Sequence, residues 1–190
     1  MSFWDLSDGD TAANAEKEFE ISSGNMEPIP DGSTVLAMID EAKWENPKGA
    51  EYISLRWTVL QPEAYKNRKV FQKLWVTDDD PNTKDGDKAA KKRDKARRML
   101  AAIDANAGGK LTQKPGKPTD ESLTAYLTNK PMVIKCMVWS LTGDNGEEIS
   151  GNWIAAVAPK DKGIHVSDAR PPKPRPAQRV EETLDDEIPF

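Results

Sequence analysis

The segment EYISLRWTVL occupies residues 51–60, and its polarity alternates with a period of two residues. The apolar side chains of one face are Ile53, Leu55, Trp57 and Val59. The opposite face consists of Tyr52, Ser54, Arg56 and Thr58. Strict alternation is typical of a strand with one face on an apolar core and the other in water, as in antiparallel sheets. The sequence therefore predicts a β-sheet with one exposed face.

Strand-like patterns recur on both sides of this segment. The four further predicted strands are residues 33–44, 69–77, 131–141 and 148–157. A Gly-Asp-Asn-Gly turn at 143–146 joins the last two strands as a hairpin. Between the third and fourth strands, residues 87–106 have helical periodicity, and a Gly-Gly pair at 108–109 suits the helix end. Residues 119–127 are interpreted as a short additional helical segment.

The order of three strands, a helix and two strands is the one expected of an OB-type barrel. We therefore predict a mainly β (α+β) fold, a five-stranded OB-like barrel with one helix between strands 3 and 4. A small sandwich would use the same elements. Trp57 and Trp153 are assigned to the core. The predicted regions are an N-terminal arm (1–31), the OB-like domain (32–158), a Pro-rich linker (159–180) and an acidic tip (181–190), with a disordered C-terminal tail.

Charge is distributed unevenly along the 190 residues, whose formal net charge is −5. Residues 181–190 contain five acids and no bases, so the remainder of the sequence is close to neutral. Lysines and arginines concentrate at 66–73 and 84–98. Local positive patches, rather than net charge, determine affinity for phosphates, so this composition is compatible with a polyanionic partner.

Residues that catalysis commonly uses are scarce. His165 is the single histidine and lies in the predicted linker, and Cys136 is the single cysteine, within an apolar alternation. These counts argue against a histidine triad, a zinc site and a disulfide. Three aspartates at 78–80 would suit a divalent metal, but a polar loop is the favoured interpretation. We therefore predict a protein that is not an enzyme, with no catalytic residues, no metal and no cofactor.

The sequence also bears on location. No apolar run is long enough to cross a bilayer, and residues 1–10 lack the basic and apolar regions of a secretion signal. We therefore expect a cytoplasmic protein with no membrane partner. The sequence leaves a homo-oligomer open.

Aromatic and cationic side chains share the polar faces of several predicted strands. Bases of any sequence stack on aromatic rings, and phosphates need lysine or arginine alongside, so this pairing is typical of surfaces that bind single-stranded nucleic acid. The candidate DNA-binding residues are Tyr52, Arg56, Lys66, Arg68, Lys69, Phe71, Lys73, Trp75, Lys135 and Trp139. The alternative is that these rings fill the second half of a closed barrel core.

A basic side of the predicted helix is a weaker indication of the same chemistry. It consists of Lys88, Lys91, Lys92, Lys95 and Arg98. Charged faces are common on surface helices, so this side alone does not predict a binding surface.

The sequence ends with three acids followed by Ile-Pro-Phe, at residues 185–190. A terminal Phe190 offers a ring for an apolar pocket and an α-carboxylate for an arginine. Pro189 holds the backbone extended, which lowers the entropy lost on docking, and the acids attract a basic rim. The predicted protein-interaction residues are Asp185, Asp186, Glu187, Ile188, Pro189 and Phe190. The alternative is a solvated acidic tail.

Two parts of the sequence resemble known families of proteins. Residues 185–190 resemble the C-terminal tip of bacterial single-stranded-DNA-binding proteins, which usually reads Asp-Asp-Asp-Ile-Pro-Phe, and Glu187 is the one departure. Residues 32–159 resemble small phage-encoded single-stranded-DNA-binding proteins of the OB-fold type. The positions that carry this second resemblance are 32–44, Tyr52 with Trp57, 65–70, and Asn152-Trp153-Ile154 followed by Pro159.

The resemblances imply a protein that coats and protects single-stranded DNA in phage replication or recombination. Its tip would recruit host or phage replication and recombination proteins and would compete with DNA for the protein's own basic surface. A phage origin would place it in the cytoplasm of a bacterial host. Two alternatives are a protein–protein adaptor that recruits host replication enzymes and a strand-annealing recombination mediator. A carboxylate nuclease is a further alternative.

Overall fold

The computed structural model describes residues 27–142, 146 and 148–168. Most of the predicted N-terminal arm lies outside these residues. The Pro-rich spacer at 171–176 and the acidic tip, including Asp185 to Phe190, also lie outside them.

Five strands and two helices make up the described part of the chain. The strands are β1 (Thr34–Glu45), β2 (Tyr52–Gln61), β3 (Lys69–Leu74), β4 (Met132–Thr142) and β5 (Glu148–Ala158). The helices are α1 (Gly86–Ala107) and α2 (Asp120–Leu127), and single 3-10 turns occupy Pro47–Gly49 and Glu63–Tyr65. The predicted strands and the long helix are confirmed to within three residues at each end. Two helices, rather than one, separate β3 from β4.

The strands form one antiparallel sheet in the order β3-β2-β1-β4-β5. The mainly β architecture is therefore confirmed. The sheet is not closed, because β3 and β5 are its two edges and no hydrogen-bonded ladder joins them. Helix α1 packs against both edge strands and against α2, while α2 packs against β1.

Helix α1 begins and ends at the residues that its capping chemistry favours. The carboxylate of Asp85 accepts hydrogen bonds from the backbone N–H groups of Asp87 (2.9 Å) and Lys88 (3.3 Å). Gly108 ends the helix with φ at 116°, a left-handed conformation that glycine adopts without strain. The buried Asp104 carboxylate accepts from the backbone of Leu111 (3.0 Å), so the end of the helix also fixes the loop that follows.

The core lies on one side of the sheet, beneath the two helices. Ile53, Leu55, Trp57 and Val59 are all fully buried, as their alternation in β2 predicts. The indole N–H of Trp57 donates to the side-chain oxygen of Gln72 (3.1 Å), so even this buried polar group is paired. Among the described residues, every buried side-chain nitrogen and oxygen has a hydrogen-bond partner.

A β-bulge in β1 changes which residues face the core. Ile39 lies opposite Trp57 and Glu41 lies opposite Arg56, which leaves Asp40 as an extra residue without a partner on β2. The inward positions are therefore odd-numbered before Asp40 and even-numbered after it. This phase brings Trp44 against the core, where its indole N–H donates to the Pro118 carbonyl (2.8 Å). The sequence alone does not decide the direction of Trp44.

Short segments beyond both ends of the sheet also pack on it. Ile29, from the predicted arm, is fully buried, and the amide side chain of Asn152 bonds both its N–H and its carbonyl (2.8 Å each). His165, from the predicted linker, pairs with Thr34 through backbone hydrogen bonds of 2.7 and 3.0 Å. The packed part of the chain thus extends beyond 32–158 on both sides.

We predict that Asn152→Ala lowers the free energy of unfolding by about 1–3 kcal/mol, because it leaves both backbone groups of Ile29 without their partner. Urea denaturation measures this loss. Asn46→Ala is the matched control, since Asn46 is exposed and its side chain caps no helix. That control is expected to change stability by less than about 0.5 kcal/mol. Equal losses of stability in the Asn152→Ala and Asn46→Ala variants would contradict the role assigned to the hydrogen bonds between Asn152 and Ile29.

Candidate nucleic-acid interface

An open depression lies on the side of β1, β2 and β3 that faces away from the core. The cross-strand pairs that build it are Glu41 with Arg56, Arg56 with Phe71, Lys43 with Ser54, Ser54 with Lys73, and Glu45 with Tyr52. We call this surface the outer face, and its residues are Glu41, Lys43, Glu45, Tyr52, Ser54, Arg56, Phe71 and Lys73.

Phe71 is the most exposed large hydrophobic side chain among the described residues, at 66%. The alternation of β3 places it there, because Val70, Gln72 and Leu74 point inward and are buried. A phenyl ring that is two-thirds exposed in mid-strand contributes little to the core. It offers a planar apolar surface on which a base can stack.

Two of the predicted stacking rings are buried. Tyr52 is 5% exposed and Trp75 is 8% exposed, so the expectation that they present open ring faces is wrong. Their ring centroids lie 4.7 Å apart, and the Lys73 ammonium group lies 5.4 Å from the centroid of the Tyr52 ring. Trp75 follows the last residue of β3, where strand alternation no longer applies. Tyr52 thus lines the depression, and Trp75 packs against its ring.

The hydroxyl group of Tyr52 is fixed by a carboxylate. It donates to Glu45 at 2.6 Å. Burial and this hydrogen bond raise the pKa of Tyr52 from its ordinary value of 10.0 to about 12. The same bond lowers the pKa of Glu45, which keeps a negative charge at the edge of the depression.

A carboxylate that the sequence did not single out connects three strands. Asp40, the bulge residue, accepts from Arg56 (3.0 Å), Thr58 (2.8 Å) and Lys69 (2.6 Å). Partial burial raises the pKa of Asp40, but the hydrogen bonds from Lys69, Thr58 and Arg56 outweigh it and hold the pKa below its usual value. Asp40 therefore stays ionised. It forms ion pairs with Arg56 and Lys69, two of the cations predicted to bind phosphate.

Intramolecular pairing balances the charge of the outer face. Arg56 also bonds Glu41 (2.5 Å), and Lys43 lies 2.8 Å from Glu41 and 3.4 Å from Glu45. Around the depression, Lys43, Arg56, Lys69 and Lys73 oppose Asp40, Glu41 and Glu45. Partly exposed pairs of this kind contribute only about 0–1 kcal/mol each, so a phosphate can replace a carboxylate at small cost. The face nevertheless has little positive surplus to attract one.

The turn before β3 contributes two cations, Lys66 and Arg68, and both also have partners within the protein. Lys66 pairs with Glu63 (3.1 Å). The Arg68 guanidinium lies 4.9 Å from the centroid of the Tyr65 ring and donates to the carbonyl of Glu27. Both residues lie outside the depression.

Lys135 and Trp139 lie on β4 and are also separate from the depression. Lys135 is exposed and faces Thr34, at the opposite end of β1 from Glu45. Trp139 is half-buried and lies against Gly151 of β5. The structure thus brings together Tyr52, Arg56, Phe71 and Lys73, with Lys69 joined through Asp40. It does not bring Lys66, Arg68, Lys135 or Trp139 to the same place.

The acidic residues of the outer face, Glu41 and Glu45, are not among the residues predicted from the sequence. Glu41, Lys43 and Glu45 alternate in the sequence, and this signal places them together on one side of a strand. Only the bulge at Asp40 aligns that side with Arg56 and Phe71. A bulge leaves little trace in a single sequence.

The aspartates at 78–80 have structural partners. Asp78 accepts from the backbone N–H of Glu51 (2.8 Å), Asp79 pairs with Arg93 (2.7 Å), and Asp80 accepts from the N–H of Asn82 (3.0 Å). Within the described ranges, no group of three His, Cys, Asp or Glu side chains is placed to hold a metal ion. Burial raises the pKa of the Cys136 thiol to about 12, which makes it a poor nucleophile.

The part of the chain that the structure describes contains no helix with the length and apolar character needed to cross a membrane. Comparison of the chain with models of protein families finds no matching family, and comparison with curated proteins finds no significant match.

We predict that Asp40→Asn lowers the free energy of unfolding by about 1–3 kcal/mol at pH 7, because three hydrogen bonds lose a charged acceptor. The folded pKa of Asp40 lies below its ordinary value of 3.8, so this stability is present above that value. It is lost as the pH falls through the lowered folded pKa. The difference in the free energy of unfolding between wild type and Asp40→Asn should therefore become smaller as the pH falls from 5 to 3. Urea denaturation measures this difference.

Asp161→Asn is the control for this pH series, because Asp161 is exposed and lies beyond β5. Its effect is expected to stay within about 0.5 kcal/mol across the series. A difference between Asp40→Asn and wild type that does not change with pH would contradict the role assigned to the ionised carboxylate.

Proposed function

We propose that this protein is a non-enzymatic binder of single-stranded DNA that acts in phage DNA replication or recombination. The observation that carries the proposal is Phe71, a phenyl ring exposed at 66% in the middle of a strand and adjacent to Arg56 and Lys73. A ring with cations beside it can hold a base and its phosphate together, without regard to sequence.

The architecture supports this proposal. An antiparallel sheet of five strands, with helices between β3 and β4, has the strand count and helix position of a partly open OB-type barrel. Helix α1 contacts both edge strands, where such a barrel would come closest to closing. We propose an OB-like fold on this basis, as the resemblance to phage proteins implies.

The proposed binding mode follows from the ion pairs of the outer face. A base stacks on Phe71, and a phosphate takes the place of the partly exposed Glu41 beside Arg56 and Lys73, while Asp40 keeps its hydrogen bonds. Stacking contributes about 1–3 kcal/mol per base, whereas each exchanged ion pair costs no more than about 1 kcal/mol. On this surface, the ring therefore supplies more affinity than the charges do.

The acidic segment 185–190 completes the proposal. It would recruit replication and recombination proteins of the phage or its host, as its resemblance to the tip of bacterial single-stranded-DNA-binding proteins implies. The protein would then act in the cytoplasm of a bacterial host.

One observation favours a second candidate, a protein–protein adaptor. An exposed aromatic side chain within a charge-balanced surface is also typical of a hot spot for a protein partner. An adaptor would use Phe71 in this way and would bind no oligonucleotide. A strand-annealing mediator is a variant of the first proposal, and annealing of complementary oligonucleotides tests it.

We predict that Phe71→Ala weakens binding of oligo-dT by about 1–3 kcal/mol, or about 5- to 150-fold, because it removes one stacking surface. Titration of wild type and variant by tryptophan fluorescence at two salt concentrations measures the effect. Ile164→Ala is the control, since Ile164 is also an exposed large hydrophobic residue but lies after β5.

Equal affinity of Phe71→Ala and Ile164→Ala, with wild type binding oligo-dT, would remove Phe71 from the interface. Failure of wild type to bind oligo-dT at low salt would reject the proposed function and favour the adaptor.

A further inference from the structure

The β4–β5 hairpin carries two tryptophans on its side away from the core. Trp139 lies opposite Gly151 and Met137 lies opposite Trp153, and these residues alternate with the buried Val138 and Ile154. We call this surface the hairpin face, and its residues are Met137, Trp139, Gly151 and Trp153. Trp153 was assigned to the core from the sequence, but it is only half-buried.

Gly151 allows one of these rings to lie against the backbone. A Cβ atom at this position would come within 2.7 Å of Trp139 Cζ2 and 2.8 Å of Cε2, closer than side chains tolerate. The φ angle of Gly151 is not in the left-handed region, so the position requires glycine for space rather than for conformation. The Trp139 indole is therefore laid across β5, on the surface of the sheet.

Helix α1 is rich in positive charge and places one of its lysines beside this face. Residues 86–98 contain seven lysines and arginines and two aspartates. The helix packs against β5, and the Lys95 ammonium group lies 5.6 Å from the centroid of the Trp153 ring. Lys91 and Arg98 are exposed on the same side of the helix as Lys95, and Arg98 forms an exposed pair with Asp94 (2.9 Å).

The outer face and the hairpin face differ in their exposed rings and in the balance of their charges. The outer face has one exposed ring and cations that are balanced by carboxylates. The hairpin face has two partly exposed rings beside α1, which contains seven lysines and arginines and three aspartates. Long-range attraction of a phosphate backbone depends on such a surplus, whereas stacking depends on the rings. The hairpin face and α1 together supply both the rings and the positive charge, and they do so more fully than the outer face does.

We propose that the hairpin face and the basic side of α1 form a second contact surface for single-stranded DNA. Bases stack on Trp139 and Trp153 while phosphates follow Lys91, Lys95 and Arg98. This inference depends on the proposed function, since it names the path of the same strand beyond the outer face. It makes α1 the main source of the salt dependence of binding.

The test is the double variant Lys91→Gln/Lys95→Gln. Its affinity for oligo-dT should fall about tenfold at ~0.1 M salt, and the slope of log affinity against log salt should become shallower by about 1.4, or 0.7 for each lost phosphate contact. Lys110→Gln/Lys130→Gln is the matched control, because it removes the same charge from two exposed lysines in loops. The control should leave affinity within twofold of wild type.

A second pair of variants tests the rings. Trp153→Phe keeps an aromatic surface and should retain affinity while losing part of the fluorescence quenching. Trp153→Leu keeps an apolar side chain and should lose about five- to tenfold in affinity. Thermal unfolding by circular dichroism identifies any loss that comes from misfolding, and the charge variants decide the matter if Trp153→Leu does not fold.

The outcomes separate the two proposals. If wild type binds oligo-dT but the α1 variant matches its loop control in both affinity and salt slope, the second surface is refuted and the proposed function stands. If wild type binds no oligo-dT, both proposals fall. If the α1 variant loses only the binding of an acidic protein partner, the second surface serves protein and the DNA path is refuted.

Discussion

The outer side of the sheet depends on Asp40 and on the hydrogen bonds that its carboxylate accepts. It is the extra residue of a bulge, and it joins β1 to Arg56 and Thr58 of β2 and to Lys69 of β3. Without the extra residue, every later side chain of β1 would change faces. Ala42 and Trp44 would then point into water, and Glu41 and Lys43 would point into the core. The bulge thus specifies both the core beside α2 and the composition of the depression.

The charges of the molecule are divided between two surfaces with different physical properties. On the outer face, acids and bases hold each other in place, and an exposed ring stands among them. On α1, cations exceed acids, and Lys95 lies beside the Trp153 ring of β5. A polyanion would be drawn first to the helix and held afterwards by stacking on both surfaces. Such a division would let affinity depend strongly on salt while specificity for unpaired bases depends on the rings.

Much of the fold could be predicted from the sequence, because its strands are regular. The alternation in β2 and β3 correctly assigns Trp57 to the core and Phe71 to the exposed side. The capping Asp85 and the Gly108–Gly109 pair delimit α1. These signals are local, and each involves a few neighbouring residues. Local chemistry of this kind is what a single sequence records best.

The remainder depends on contacts between residues far apart in the chain. Trp75 is buried because Tyr52 lies 4.7 Å from it across the sheet, and no spacing in the sequence reports that contact. Trp153 stays partly exposed because it lies opposite Met137 on the outward side of the hairpin. The sheet is also open between β3 and β5. Strand count and order alone do not determine it.

The pairing of His165 with Thr34 limits how far the following chain can travel. The backbone hydrogen bonds there, together with the bond from Ser167 to Ser33 (3.0 Å), anchor the chain beside the start of β1. Residue 185 comes 17 positions after Asp168, and a fully extended chain covers at most about 3.6 Å per residue. Under the proposed function, any protein bound by the segment from Asp185 onward would therefore remain within roughly 60–80 Å of that anchor. At such separations, tethering would keep an enzyme bound there at an effective concentration of about millimolar near the sheet, however dilute it is in solution.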